Sequence, residues 1–320
     1  MSTLVRWLSL RAYGLLTSML FGAATSPLKM RARFERYSRA SRESVRRRFP
    51  NVVFEDHFVD GLAIELVRAM ESPARVILYL HGGGFFMGSP ASYRRRATRL
   101  SYRFRAEVFV PDYRLAPEHP HPAALDDALK AWAYVRGLRP KATVLVAGDS
   151  AGGGLSLSLL VRLRDLGFAM PDGALLLSPW TDLTASGSSV DGNQGKDLWF
   201  TRRHLETWAG HYAAPAVRRS PYVSPVFAEL SGLPPLLLLA GEDELLLDDA
   251  RRVREAAEAA GSDARIHVGR GMQHDWPLTL PWLDESRLAW RVMESFVEER
   301  TNPAPRAGTR VLESSGPERV

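Results

Sequence analysis

Cysteine is absent from this 320-residue sequence. Its absence excludes a disulfide scaffold, a thiolate metal site, an iron–sulfur cluster and a cysteine nucleophile. The chain also lacks any run of about 18 uncharged apolar residues, which argues against a transmembrane helix. Hydrophobic residues still make up 45% of the chain and charged residues 24%, the composition of a globular protein with one large or two ordinary domains.

Positive charge is concentrated in one stretch rather than spread over the chain. Lys29 to Arg48 holds nine basic and two acidic residues, a charge of +7, whereas the whole chain carries +6, so the remainder is −1. A uniform nucleic-acid-binding surface is therefore not expected, and neither is a nucleic-acid partner. Two interpretations of Arg31–Arg48 stay open: weak contact with an anionic membrane surface, or a solvated helical face.

The two ends of the chain differ in character. Ala12 to Leu28 is apolar but diluted by glycine, serine, threonine and proline. We expect a helix that packs on the domain, with an interfacial membrane helix and a cleaved secretory signal as alternatives. The expected location is cytoplasmic, with secretion or membrane association as alternatives. Thr301–Val320 is rich in proline, glycine, serine and charge, and we expect a disordered tail.

Between these ends, short apolar runs alternate with helix-like stretches. This alternation predicts an α/β fold with a mainly parallel sheet of about eight strands, covered by helices on both faces. Two alternating segments around Asp60-Gly61 predict a hairpin at one edge. The predicted strands are Val52–Val59, Leu62–Arg68, Val76–Leu80, Val108–Val110, Val144–Ala147, Ala174–Leu177, Leu236–Ala240 and Ile266–Val268. The predicted helices are Ser92–Arg105, Ala123–Arg136, Ala151–Leu166, Asp248–Ala260 and Leu283–Glu299.

One interval, Thr184–Pro235, contains no strand pattern. It has a polar loop followed by four aromatic residues within 14 positions, Trp199, Phe200, Trp208 and Tyr212. We expect an insertion that lies above the sheet.

Gly148-Asp149-Ser150-Ala151-Gly152 lies between a predicted strand and a predicted helix. This is the G-x-S-x-G nucleophile elbow in the strand–turn–helix context that it requires. Glycines on either side let the backbone pass close to Ser150, whose hydroxyl is then exposed at a helix N-terminus that favours negative charge. The alternative is a glycine-rich turn that binds phosphate.

His81-Gly82-Gly83-Gly84 directly follows another predicted strand. Glycines expose successive backbone N–H groups, which an oxyanion hole needs about 2.7–3.1 Å from the developing charge. The expected donors are Gly83, Gly84 and Ala151, the residue after the nucleophile. A flexible glycine loop is the alternative.

An acid and a histidine follow the serine in chain order. Asp243 and Glu244 come after the strand at 236–240, and His274 comes after the strand at 266–268. Serine, acid, histidine is the order of the α/β-hydrolase triad. In such a triad, the histidine accepts the serine proton and the acid holds its tautomer.

These motifs, with Asp112–Pro120 (DYRLAPEHP) and Ser178–Thr184 (SPWTDLT), resemble the hormone-sensitive-lipase-like family of bacterial esterases. The resemblance extends over about residues 52 to 299. It implies an α/β-hydrolase domain over 51–300, a cap built from residues 1–50 and 184–235, no cofactor, and hydrolysis of short-to-medium acyl esters, lactones in some relatives. It places the nucleophile on Ser150, the base on His274 and the oxyanion donors on Gly83, Gly84 and Ala151.

The acid is the one position where the resemblance is ambiguous. The family run Asp-Pro-Leu-x-Asp-Glu corresponds here to Glu244–Asp249, so counting back from Asp248 selects Glu244 over Asp243. Glutamate also reaches further towards the histidine. Asp243 is then expected to cap the next turn or helix. The triad is therefore predicted as Ser150, Glu244 and His274.

Other functions stay open beside an esterase with a small-molecule ester substrate. They are a non-catalytic hydrolase-fold protein that binds a small molecule or lipid, an amidase or carbamate hydrolase, and a true long-chain lipase. A homodimer is also an open alternative to a monomer.

Overall fold

The computed structural model of the chain describes residues 8–15, 17, 26–71, 73 and 75–301. The predicted tail falls almost wholly outside these residues. Only its first residue, Thr301, is described, and it ends the final helix instead of starting a disordered segment. Part of the apolar stretch Ala12–Leu28 also lies outside them.

Eight strands form one sheet in the order β1-β2-β4-β3-β5-β6-β7-β8. Strand β2 pairs antiparallel with β1 on one side and β4 on the other. The remaining neighbours, in the sheet order β4-β3-β5-β6-β7-β8, are parallel. The strands are β1 (Val53–Val59), β2 (Leu62–Arg68), β3 (Arg75–Leu80), β4 (Ala106–Pro111), β5 (Thr143–Asp149), β6 (Gly173–Leu177), β7 (Leu236–Gly241) and β8 (Ala264–Gly269). The predicted eight-stranded, mainly parallel sheet is confirmed.

The hairpin between β1 and β2 turns on two residues with positive φ. Asp60 has φ 46° and Gly61 has φ 80°, the conformation of the two-residue turn that matches the twist of the flanking strands. The Asp-Gly pair thus predicts this edge correctly.

The central strands of the sheet are buried along nearly their whole length. Such strands need apolar partners on both faces, and the helices supply them. In chain order the helices are α1 (Pro27–Ser38), α2 (Arg42–Arg46), α3 (Pro90–Phe104), α4 (Ala123–Leu138), α5 (Ala151–Asp165), α6 (Ser189–Gly192), α7 (Arg202–Tyr212), α8 (Leu247–Ala259), α9 (Trp276–Thr279) and α10 (Asp284–Thr301).

The interval between β6 and β7 contains only helices, turns and loops, as expected for an insertion. It includes α6, α7 and two short 3₁₀ turns, Pro215–Val217 and Pro225–Phe227. Its aromatic residues Phe200, Trp208 and Tyr212 are buried, so the insertion packs on the domain rather than projecting from it.

The described N-terminal residues also contact the domain. Residues 8–15 and 17 are helical, and the Tyr13 hydroxyl donates a hydrogen bond to the His274 carbonyl at 2.8 Å. The Trp282 indole donates to Ser9 at 3.0 Å. These are the contacts of a packing helix. Within the described ranges, no helix has the length and apolar character needed to cross a membrane.

Candidate active site

Ser150 lies at the turn between β5 and α5, where the elbow motif predicts it. Its φ of 53° and ψ of −124° fall in a region that costs a non-glycine residue about 1–3 kcal/mol and occurs mainly at functional sites. Its amide donates to the Leu177 carbonyl at 2.8 Å, and its carbonyl accepts from the Trp180 amide at 2.9 Å. Neighbouring strand ends therefore hold the turn in its strained conformation.

The flanking glycine Gly152 is required by sterics. A Cβ atom there would lie 2.1 Å from the Leu80 carbonyl oxygen and 2.5 Å from that of His81. Because both oxygens belong to backbone, a side chain could be accommodated only by moving α5 away from the end of β3. Glycine thus lets the elbow touch the loop that follows β3.

That loop carries the predicted oxyanion donors. Gly83 and Gly84 have φ values of 120° and 61°, which favour glycine, and both line one small cavity together with Ser150 and His274. Ala151 begins α5, so its N–H group has no acceptor within the helix. The three predicted donors thus lie around the nucleophile.

The Asp149 side chain connects the elbow to this glycine loop by a hydrogen bond, a contact that the sequence does not reveal. Its Oδ1 accepts from the Gly82 amide at 2.9 Å and the Tyr79 hydroxyl at 2.7 Å, and its Oδ2 accepts from the Tyr93 hydroxyl at 2.8 Å. The carboxylate is buried and satisfied by three donors. It therefore sets the distance between the nucleophile and the oxyanion loop.

His81 begins the glycine loop but has a structural environment. Its ring stacks on Tyr113 with centroids 4.2 Å apart, and the Tyr113 hydroxyl donates to the His81 carbonyl at 2.6 Å. Burial lowers the pKa of His81 to about 4, so the imidazole is neutral at physiological pH. A neutral ring adds no charge beside the oxyanion loop.

Glu244, rather than Asp243, contacts the predicted base. Its Oε2 lies 3.0 Å from Nδ1 of His274, and both side chains are buried. Burial raises the pKa of the Glu244 carboxyl, while hydrogen bonds from Ser178 and Gly241 oppose that rise. A neighbouring imidazolium favours the ionised acid, so the pair is suited to hold one proton between Nδ1 and Oε2.

Asp243 does not cap the helix that follows it, so this half of its prediction is wrong. In the described chain, α8 begins at Leu247 with Leu246 in the N-cap position and no capping side chain. Capping of the next turn by Asp243 stays a prediction. The Asp243 amide donates to the Met272 carbonyl at 3.1 Å, which joins the acid loop to the histidine loop.

Two further charged side chains line the cavity, and neither belongs to a predicted motif role. Oδ2 of Asp275 lies 3.4 Å from Nε2 of His274, and burial raises the pKa of that carboxyl. The Arg96 guanidinium stands over the Tyr93 ring at 4.6 Å and lies 3.7 Å from Asp149. Asp275 follows His274 directly, so the sequence already places it beside the predicted base. Arg96 reaches the cavity only because of the way α3 packs.

Sequence comparison places this site among known hydrolases. The profile of a family described as the α/β hydrolase fold matches residues 77–278. An esterase of Acinetobacter venetianus is 36% identical over 250 residues, which cover 77% of this chain and 82% of the relative. An acetyl-hydrolase of Streptomyces hygroscopicus is 38% identical over 239 residues, which cover 74% and 80%.

Solved structures of esterases are also similar to this chain. The crystal structure of EstE5 soaked with p-nitrophenyl butyrate matches with a TM-score of 0.80 and 35% identity, covering 89% of this chain and 97% of that one. An esterase from the bacterial hormone-sensitive lipase family matches with a TM-score of 0.81 and 32% identity, covering 92% and 98%. The chain belongs to the hormone-sensitive-lipase-like family of α/β-hydrolase esterases.

This esterase holds its histidine with residues that its motifs do not include. Gln273 precedes the histidine and is bonded to the insertion through both ends of its side-chain amide. Asp197 of the insertion accepts a hydrogen bond from the Leu245 amide, next to Glu244, at 2.7 Å. The sequence does not reveal this contact, because Asp197 and Leu245 are 48 residues apart.

Proposed function

We propose that this esterase cleaves carboxylic esters through an acyl-enzyme intermediate on Ser150. His274 acts as the base, Glu244 orients it, and Gly83, Gly84 and Ala151 supply the oxyanion donors. One observation carries the proposal: the strained serine, the histidine that contacts a buried acid, and the glycine loop meet at one cavity.

The reaction follows from these roles. Ser150 Oγ attacks the ester carbonyl carbon while its proton passes to Nε2 of His274. The negative charge on the carbonyl oxygen is stabilised by the backbone donors. When the C–O bond breaks, Nε2 returns the proton to the leaving alcohol. Water then attacks the acyl-enzyme with the same base, which releases the acid and restores Ser150.

We further propose that the acyl chain is short to medium, with lactones as alternative substrates. The cavity beside Ser150 has a volume of about 20 Å³, and its lining includes five aromatic residues, Phe34, Tyr93, Trp199, Phe200 and Trp208. The relatives' names point the same way, since one is an acetyl-hydrolase and another was soaked with a butyrate ester.

A first experiment tests the nucleophile. Ser150→Ala should lower kcat on p-nitrophenyl butyrate by about 10⁶-fold and abolish covalent labelling by a fluorophosphonate, as loss of a triad serine does. Ser158→Ala, on the same helix, should label and turn over like the wild type. Residual activity of more than a few per cent in pure Ser150→Ala would contradict the mechanism.

A second experiment tests the substrate. We expect kcat/KM for p-nitrophenyl esters to peak between about C4 and C8, because the aromatic residues of α1 and the insertion enclose Ser150 instead of leaving an exposed face on which lipid could dock. Caprolactone in the same series tests ring opening. Rates that increase up to C16 and rise sharply at an oil–water interface would identify a long-chain lipase instead.

The proposal includes a cap made of residues 1–50 and 184–235 over the hydrolase domain. Phe34 of α1 and Phe200 and Trp208 of the insertion line the cavity, which supports that division.

Membrane contact through Arg31–Arg48 and homodimerisation stay predictions. Two arginines of that run are already paired, Arg31 with Glu118 and Arg42 with Glu65, at 2.7 Å each. These ion pairs leave fewer unpaired positive charges in the run for an anionic membrane surface.

A further inference from the structure

Residues 193–200 of the insertion, here called the clamp segment, touch both loops that carry the proposed acid and base. On the acid side, Nδ2 of Asn193 donates to the carbonyls of Glu242 at 3.0 Å and Glu244 at 2.9 Å. Asp197 Oδ2 accepts from the Leu245 amide at 2.7 Å. Three hydrogen bonds therefore hold the backbone on both sides of the Glu244 side chain.

The same segment holds the histidine loop. The Leu198 amide donates to Oε1 of Gln273 at 2.8 Å, and Nε2 of Gln273 donates to the Lys196 carbonyl at 3.1 Å. The rings of Trp199 and Phe200 meet the His274 ring edge-on, with centroids 5.5 Å and 4.7 Å away. The clamp segment thus restricts both the backbone before His274 and the orientation of its ring.

Asp197 is the centre of this arrangement. While Oδ2 holds the acid loop, Oδ1 accepts from the amides of Trp199 at 2.7 Å and Phe200 at 3.0 Å. One carboxylate therefore joins the residue after the acid to the two rings that pack on the base. Its side chain is buried, where hydrogen bonds to an ionised group are stronger than those between neutral groups.

We propose that Asp197 is a positioning residue that aligns Glu244 with His274. The inference rests on the proposed serine mechanism. It assigns to the insertion a part in catalysis beyond covering the cavity.

Asp197 is ionised at neutral pH although it is buried. Burial raises its pKa to about 6, and its hydrogen bond from Leu245 and the charge of His274 oppose that rise. Above that pH the carboxylate accepts its hydrogen bonds from Leu245, Trp199 and Phe200 as an ionised group, which strengthens them.

The test compares Asp197→Asn with Asp191→Asn. Asp191 is an exposed acid of the same insertion, paired with Arg202 at the surface, so its variant removes the same charge without touching the triad. For Asp197→Asn we expect kcat on p-nitrophenyl butyrate to fall by about 10²-fold, the usual result of slight misplacement of a catalytic group. KM should stay within about threefold, and Asp191→Asn should match the wild type.

Two readouts separate positioning from a merely structural role. A loss confined to kcat, with KM within about threefold, means that substrate still binds while the catalytic groups are misaligned. Asp197→Glu keeps the charge and the acceptor oxygens, so it should recover part of kcat. An unchanged kcat in folded Asp197→Asn, or a KM that rises as much as kcat falls, overturns the proposal.

If Asp197→Asn does not fold, Asn193→Ala tests the clamp segment instead. It removes two hydrogen bonds to the acid loop and no charge, so kcat should fall by about 10-fold at an unchanged KM. Wild-type kcat in that variant would overturn the clamp role. Failure of the serine mechanism itself would appear separately, as activity retained by Ser150→Ala.

Discussion

The two halves of the proposed active site are built by different means. On one side, the elbow and the glycine loop lie at the ends of neighbouring parallel strands, β5 and β3, and their closeness depends on missing side chains. On the other side, the acid and the histidine lie in loops after β7 and β8, and a segment inserted about 50 residues earlier holds them. The first half is specified by backbone sterics and the second by long-range hydrogen bonds.

This contrast predicts which substitutions reduce activity alone and which also reduce stability. A substitution in the acid–histidine half should damage turnover more than folding, since its side chains are aligned for chemistry. A substitution at the glycines should damage folding as well, since the strands cannot approach with a side chain between them.

Apart from loss of the serine itself, the largest effect is expected at Glu244. Glu244→Gln keeps the size of the side chain but cannot stabilise the imidazolium and favours the wrong tautomer, so kcat should fall by about 10⁴-fold. Asp243→Asn is the matched control one residue away and should stay within about threefold. Steady-state kinetics on a butyrate ester, with thermal melts showing that both variants fold, checks this. Equal losses in the two variants would contradict the assignment of the acid.

The next effect concerns the elbow. In Gly152→Ala, the added methyl would clash with the Leu80 and His81 carbonyls, so we expect a loss of about 1–3 kcal/mol in the free energy of unfolding together with reduced kcat.

Gly137→Ala is the control, because a Cβ atom there meets nothing within 4 Å. Since Gly137 lies in α4, this replacement should raise the free energy of unfolding by about 0.4–1 kcal/mol. Urea denaturation measures both variants. If Gly152→Ala is as stable as the wild type, close backbone approach is not what the glycine provides.

The smallest effect is expected at Arg31, which joins α1 to the glycine loop. Its guanidinium donates to the carbonyls of Phe86 and Ala116 at 2.7 Å and 2.8 Å and pairs with both oxygens of Glu118. Arg31→Met should cost about 1 kcal/mol of stability, since the ion pair is partly exposed.

The exposed Arg36 of the same helix provides the comparison, and Arg36→Met should change the melting temperature by less than about 2 °C. Equal melting temperatures for the two variants would show that the contacts of Arg31 do not stabilise the N-terminal segment.

Much of this molecule could be predicted from local patterns. All eight strands and the five long helices after β2 were placed to within a few residues, because buried runs alternate with helical periodicity. Ser150 and the glycine loop were identified as candidates because their motifs meet the steric needs of turns that follow strands, which neighbouring residues alone express. His274 was identified by its place after a strand and after the serine and the acid in chain order.

Tertiary structure decided what local patterns leave ambiguous. Asp243 and Glu244 are adjacent carboxylates, and only the approach of the β8 loop brings Glu244 to His274. Asp149 and Asp197 resemble ordinary polar residues until folding places backbone amides from distant loops around their carboxylates. The sequence by itself determined the strands, the turns and the order of serine, acid and histidine, because those follow from short-range sterics and periodicity. Which carboxylate meets which donor depended on contacts between segments far apart in the chain, and those exist only in the folded protein.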